Sequence, residues 1–398
     1  MAMFVDGTAP TTDHQPLRIL IVGAGIGGLT AALALRRQGH DVEVFEKSKL
    51  AQETGAAIHL APNANGLLRR LGLNAEEHGA VECRLMREVA PDGRVVFSND
   101  LQQVNRMWQH SWHLIHRAHL HSAIKDPAAH PDGAGRPVKL HVASAVEHVE
   151  SGTATLTLRD GTQRKGDLIV GADGVHSATR KEVPGGNLRP YDSGKSAFRF
   201  LIPRKLMAED DLTRDFVAQD GTLTMCIGND RRVVVYPCVN NTMINVVGIH
   251  PSHETASNPQ TSDWQEAGSK AKMLEVFAGF DASIKAILEK ADPADVKIWN
   301  LMTMERMPSF VHARLALIGD AAHPFLPDLG QGGAQAIEDG VSLAALLPSG
   351  TTADEIAERL QLYESCRFDR SHTIQHYTKL AGRDRDKIGP KDEQVDCG

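Results

Sequence analysis

The chain has 398 residues, 41% hydrophobic and 23% charged, with a formal net charge of −7. That is ordinary globular usage for about two to three domains, and it excludes a disordered, collagenous or coiled-coil chain. The negative balance offers no field to recruit nucleic acid or an anionic membrane surface, and no apolar run approaches the roughly 20 residues of a membrane span.

Residues 1–16 read as a flexible tail without the basic and apolar regions of a signal peptide. Leu17 to Val22 is a short apolar run ending at Gly23, as in a buried parallel strand. A helix follows over about 25–38, and Asp41 to Glu46 is a second strand. Together they form a βαβ unit that opens a doubly wound α/β layer. Residues 62–72 and 113–125 read as helices, Pro127 to Pro137 as a surface loop, and Val138 to Arg164 as a hairpin around Asp160-Gly161. Asp167 to Val170 is again a buried strand. The texture then changes over about 193–251, where alternating segments at 197–202, 222–227, 233–236 and 244–249 predict an inserted mixed or antiparallel sheet. A helix is expected over 263–290, a buried strand at 314–318, and closing helices near 333–347 and 353–380. Five cysteines (Cys83, Cys226, Cys238, Cys366 and Cys397) show no CxxC pair. Their odd number fits a reducing compartment, so a cytoplasmic location is expected.

Three motifs carry chemistry. Gly23-Ala24-Gly25-Ile26-Gly27-Gly28 lies between a strand and a helix. Its glycines permit a tight turn and the approach of a pyrophosphate to the helix N-terminus, where free N–H groups and the dipole favour anions. Glu46, 18 residues past Gly28, ends the next strand and can accept bonds from ribose hydroxyls. This motif alone leaves NAD and FAD open. The second motif is Gly171-Ala172-Asp173-Gly174, with Arg180 after it. The third is Gly319-Asp320, followed by the glycine-rich run from Pro327 to Gly333. Asp320 ends a strand at the sheet edge where ligands bind in such folds.

In this order and separation the motifs resemble those of the single-component FAD-dependent aromatic hydroxylases (group A flavoprotein monooxygenases). Residues 196–200, 235–238, 264–280 and 316–339 look most like the fungal salicylate-hydroxylase-like branch. The resemblance spans about residues 17–380. It implies a Rossmann-type FAD-binding domain with an inserted mixed β-sheet substrate domain (PHBH-like) and C-terminal helices. The expected division gives residues 17–75, 110–185 and 296–347 to FAD, 76–109 and 186–295 to the substrate sheet, and 348–390 to the helices. The resemblance implies that Gly23, Gly25, Gly28, Glu46 and Lys47 bind the ADP part of FAD. It gives Arg117 the phosphate and ribose region, Asp173 a role toward FAD and NADH or NADPH, and Asp320 the ribityl chain. Pro327, Gly330, Gly332 and Gly333 would run along the isoalloxazine. Ala334 stands where the family often has asparagine, a change a backbone-lined loop can absorb.

The implied reaction uses NADH or NADPH and O2, through a flavin C4a-hydroperoxide, to hydroxylate a phenol, a salicylate-like acid or an aromatic natural product. Since the cofactor performs the hard step, the protein must orient the ring, exclude water and help ionise a phenol. Arg199, Tyr236 and His59 are the candidate catalytic residues. Arg199 is a charge in an apolar strand, Tyr236 lies on a later strand, and His59 lies in a segment that passes the flavin in similar proteins. His116, His119 and His121 do not share one helical face, so no metal site is expected. The alternatives are a same-fold flavin epoxidase acting on an indole or olefin, an NAD-only dehydrogenase and a flavin redox sensor. The expected partners are the aromatic substrate and O2, with no nucleic acid and no membrane span, in a monomer or homodimer.

Overall fold

A computed structural model of the chain describes residues 15–49, 56–255 and 269–384, and the backbone of Glu266 and Ala267. The expected tail, apart from residues 15 and 16, lies outside the described residues, as do residues 385–390 of the expected C-terminal region.

Arg18–Val22, the Ile26–Arg37 helix and Asp41–Phe45 form the βαβ unit. The strands pair in parallel, Ile19 opposite Val42 and Ile21 opposite Val44. They sit inside a six-stranded sheet ordered Val311–His312, Leu315–Leu317, Leu168–Gly171, Arg18–Val22, Asp41–Phe45, Lys139–His141. All of it is parallel except the terminal Val311–His312 strand. Ile19, Leu20 and Ile21 are fully buried, as a strand covered on both faces requires.

The second layer is an eight-stranded mixed sheet centred on the long strand Tyr191–Pro203. That strand pairs antiparallel with Met243–Pro251 on one side and Lys297–Thr303 on the other. Leu85–Val89 and Val95–Asp100 complete the far edge, the former parallel to Thr222–Ile227. A small sheet of Ala57–Leu60, His113–His116 and Val81–Glu82 lies where the layers meet.

Several expectations shift. Residues 113–125 are not one helix, because His113–His116 is a strand and the helix begins at Arg117. Pairing of that tetrapeptide with Ala57–Leu60 overrides its local helical pattern. The same helix continues to Ala129, so Pro127 lies inside it rather than in a loop. In the expected 138–164 hairpin, Lys139–His141 joins the edge of the parallel sheet, and only Val146–Lys165 folds back as a three-stranded meander. The expected 263–290 helix is two helices, Lys270–Val276 and Ala282–Glu289. Asp281 starts the second by accepting from the Ser283 N–H at 2.8 Å. Finally, Lys297–Thr303 pairs into the eight-stranded sheet, so the division expected at residue 296 falls after residue 303.

Candidate active site

The glycine-rich turn shows two reasons for lacking a side chain. At Gly23 φ is +103°, and a Cβ would lie 2.3 Å from the Ala172 carbonyl oxygen; at Gly28 it would lie 2.1 Å from the Gly23 oxygen. Protein packing forbids a side chain at both. At Gly25 the backbone is ordinary, with φ −72°, and a Cβ would meet no protein atom within 4 Å among the described residues. That open space lies at the N-terminus of Ile26–Arg37, which no side chain caps. Free N–H groups and room beside them make a cradle for an anion outside the polypeptide.

Surrounding side chains fix this turn. The Glu46 carboxylate accepts from the Ala24 N–H at 2.9 Å and the Ser48 N–H at 2.7 Å. The buried His121 Nε2 lies 2.8 Å from the Ala24 carbonyl oxygen. Lys47 is exposed, and after burial its charge is the next influence lowering the His176 pKa.

The second and third motifs are stitched together by Arg180, a residue only 2% exposed. Its guanidinium donates to the carbonyls of Val175 (2.9 Å), Asp320 (2.9 Å) and Ala321 (2.7 Å). Asp173 turns inward: its carboxylate accepts from the N–H groups of Ala178 (2.7 Å) and Thr179 (3.0 Å) and from the Thr179 hydroxyl (2.7 Å). It shapes its own loop. Asp320 instead opens onto the cleft. Desolvation raises its pKa, and the charges of His323, Arg117 and Arg180 oppose that rise. The Arg117 charge therefore lies within electrostatic reach of Asp320.

A buried ionic clamp holds the Asp320 turn. Asp339 accepts from the Gly319 N–H (2.9 Å), from His323 Nε2 (2.7 Å) and from Arg367 Nε (2.7 Å). Burial alone would raise the Asp339 pKa, but His323 and Arg367 bring it down to about 2. Arg367 also bonds Glu338, which accepts from Arg370 (2.7 Å) and Asn63 (2.6 Å).

Next to this cleft is a half-enclosed cavity of about 190 Å³. One wall is the run Pro327, Gly330, Gly332 and Gly333; the opposite wall is Val234, Tyr236 and Val247 of the large sheet; His59 and Arg199 complete it. All three candidate catalytic residues thus share one space with the glycine-rich run. Gly330 has φ +64°, and a Cβ there would lie 2.6 Å from His59 Nδ1, so ring and loop lie flush. His59 meets Tyr236 edge-on, with ring centroids 4.9 Å apart, and Trp112 at 5.4 Å. Burial, then the Arg199 charge, lowers the His59 pKa to about 4. The imidazole is neutral at pH 7, and its Nδ1 has no protein partner among the described residues.

Tyr236 donates its hydroxyl to the Ala57 carbonyl at 2.7 Å, while Asn245 Oδ1 accepts from the Ala57 N–H at 2.9 Å. The pair pins the His59 strand to the large sheet. Burial pushes the Tyr236 pKa up. Arg199 lies over the Trp299 ring, 4.1 Å from its centroid, and no carboxylate pairs with it among the described residues. Burial is the main cause that lowers its pKa to about 10, so it stays cationic at neutral pH.

Sequence reasoning missed Asn245, Trp299, Trp112 and Arg367. Asn245 did carry a signal, as a polar residue inside the apolar strand run Ile244 to Ile249. The others carried none, because their roles depend on partners up to about a hundred residues away, as Trp299 is from Arg199.

Residues 17–377 match the family model described as "FAD binding domain". Hispidin-3-hydroxylase of Neonothopanus nambi is 34% identical over 373 residues, covering 91% of this chain and 87% of that protein. HpxO of Klebsiella pneumoniae, in complex with FAD and uric acid, is 26% identical with a TM-score of 0.78, covering 92% of this chain and 88% of that one. A salicylate hydroxylase substrate complex is 25% identical with a TM-score of 0.74 and the same coverage.

Proposed function

The chain belongs to this FAD-binding family of monooxygenases, and from that premise we propose a reaction and assign residues to its steps. It is an FAD-dependent monooxygenase that uses NAD(P)H and O2 to hydroxylate an aromatic or heteroaromatic small molecule. The relatives named as hydroxylases do not favour the epoxidase alternative.

The residues present fit FAD. Gly23, Gly25 and Gly28, with the helix behind them, would hold the pyrophosphate, and Glu46 and Lys47 would lie at the adenosine ribose. Arg117 and Asp320 would hold the ribityl region, and Pro327 and Gly330 to Gly333 the ring. Asp173 serves by shaping its loop. The Gly25 cradle carries this fit, since no protein atom of the described residues lies within 4 Å of a Cβ placed there. Bound FAD, reduced by NAD(P)H, supplies the electrophilic oxygen from O2.

The chain's own part is binding, orientation and proton placement. Arg199 is a desolvated cation without a carboxylate among the described residues, and that single observation carries the substrate assignment. A phenolate or carboxylate on the substrate would satisfy it, and the cation would favour the ionised, electron-rich ring. Neutral His59 can accept a hydrogen bond from a substrate hydroxyl, although a group with a pKa of about 4 is a weak base. Tyr236 spends its hydroxyl on Ala57, so it positions the wall and the His59 strand. Val234, Val247 and Ile249 exclude water. We place the enzyme in the cytoplasm, as a monomer or homodimer; among the described residues no helix is long and apolar enough to cross a membrane.

The test is anaerobic flavin bleaching by NADH and by NADPH, with phenols, aromatic acids, hydroxypyridines and indoles. Bleaching followed by hydroxylated product on adding O2 supports the reading. A protein that takes up no FAD overturns it.

A further inference from the structure

The cavity beside the Gly330 loop is small and half-enclosed, so an aromatic substrate seated there leaves no room for a second planar ring. A reductant must therefore approach from elsewhere. On the other side of the His59–Trp112 contact lies a second, open pocket of about 520 Å³. It is lined by Asn63, Arg70, Trp108, His110, Trp112 and Gln331, among others. Gln331 belongs to the run assigned to the flavin ring, and the others have no assigned part in the reaction described above.

We propose that this pocket docks the nicotinamide end of the NAD(P)H reductant. The proposal rests on the flavin-monooxygenase reading and adds a location to it. Five observations carry it. Trp108 is 44% exposed, and it shares the pocket with the second indole, Trp112. Two indoles offer stacking faces to a planar ring. Trp112 Nε1 is a buried donor with no partner among the described residues, and a carboxamide oxygen would satisfy it. Asn63 and Gln331, whose side chains lie 3.4 Å apart, add amide donors and acceptors; Gln331 belongs to the run assigned to the flavin ring, so the pocket adjoins the place where the hydride is needed. Arg70 is exposed at the pocket edge, without an ion pair among the described residues, as a contact for a phosphate requires. Between the indoles, Gln109 has φ +64°, a strained backbone that turns the Trp108–Trp112 segment over the pocket.

The experiment titrates FAD-loaded protein with 1,4,5,6-tetrahydro-NAD and its 2′-phosphate, which bind without delivering hydride. Binding is read from tryptophan fluorescence and calorimetry. Trp108→Ala and Arg70→Ala alter exposed side chains, so FAD content and melting temperature should stay at wild-type values. Each should raise the Kd of the analogue about tenfold, as loss of a stacking face or a phosphate contact does. In anaerobic stopped flow, both should raise the concentration of NAD(P)H for half-maximal bleaching and leave affinity for the aromatic ligand unchanged. Unchanged Kd values in both variants, with normal bleaching, overturn the docking site and leave the monooxygenase reading standing. A wild-type protein that takes up FAD but is bleached by neither NADH nor NADPH overturns both.

Discussion

Gly25 and Gly28 are three positions apart, yet their missing side chains serve different ends. A methyl group at Gly28 strikes the Gly23 carbonyl, whereas one at Gly25 enters open space. Gly28→Ala should therefore lower the melting temperature of flavin-free protein. Gly25→Ala should leave that temperature unchanged while sharply reducing FAD retained on gel filtration; equal retention by the Gly25 variant would contradict the cradle. Arg199→Ala should keep FAD and raise the Kd for a phenolic ligand at least about tenfold, the worth of a charge-assisted hydrogen bond in a desolvated site. Arg199→Lys should recover only part of that, since an ammonium cannot present a planar fork. His59 offers a pH test. Its folded pKa of about 4 lies below its ordinary 6.5, so it loses its proton well below neutrality. Between pH about 5.5 and 8 the kcat/KM profiles of wild type and His59→Gln should share the same limbs. A wild-type limb near 6.5 that vanishes in the variant would give His59 the role of base.

The Ile356–Ala381 helix shows at the scale of an element how a distant segment shapes the site. It packs against the Pro327–Leu329 turn, and Arg367 reaches Asp339 and so the Gly319 N–H beside Asp320. Removing one partner of a buried ion pair costs about 3–5 kcal/mol, so Arg367→Leu should produce a large drop in denaturant midpoint. The clamp also has a sign in acid. Asp339 has a folded pKa of about 2 against an ordinary 3.8. Its contribution is complete above pH about 4 and disappears as pH falls toward about 2, because the unfolded chain binds the proton first. The stability gap between wild type and Asp339→Asn, read from urea titrations, should narrow over that window.

Across the whole molecule, the proposed assignment gives flavin and substrate to different layers. The turns assigned to FAD follow strands of the six-stranded sheet, while Arg199 and Tyr236 stand on the eight-stranded sheet. Tyr236 and Asn245 tie the eight-stranded sheet to the small sheet between the layers through the C=O and N–H of Ala57. Asn245→Ala should loosen this joint. Substrate affinity should then fall more than FAD affinity, which differential titration would show. FAD contacts the folded protein alone, so at about a hundredfold excess over Kd it should add about 2.7 kcal/mol of stability, seen as a higher melting temperature.

The order of the three motifs was legible in the sequence because each is local: a strand, a glycine turn and a helix start within a few residues of one another. The buried strands at 17–22, 167–170 and 314–318 were legible for the same reason, since a strand covered on both faces is a continuous apolar run. His113–His116 was not, because its strand exists only through pairing with Ala57–Leu60, and Lys297–Thr303 needed the partner Tyr191–Pro203 to show its sheet. Asp173 carries the right residue type at the right place, yet only the folded loop shows its carboxylate turned inward. Sequence alone determined which chemistry the chain carries, since turns and helix starts are set by short-range geometry. Tertiary structure decided which polar groups are left over for a ligand, because a hydrogen-bond partner is fixed by distance in space and not along the chain.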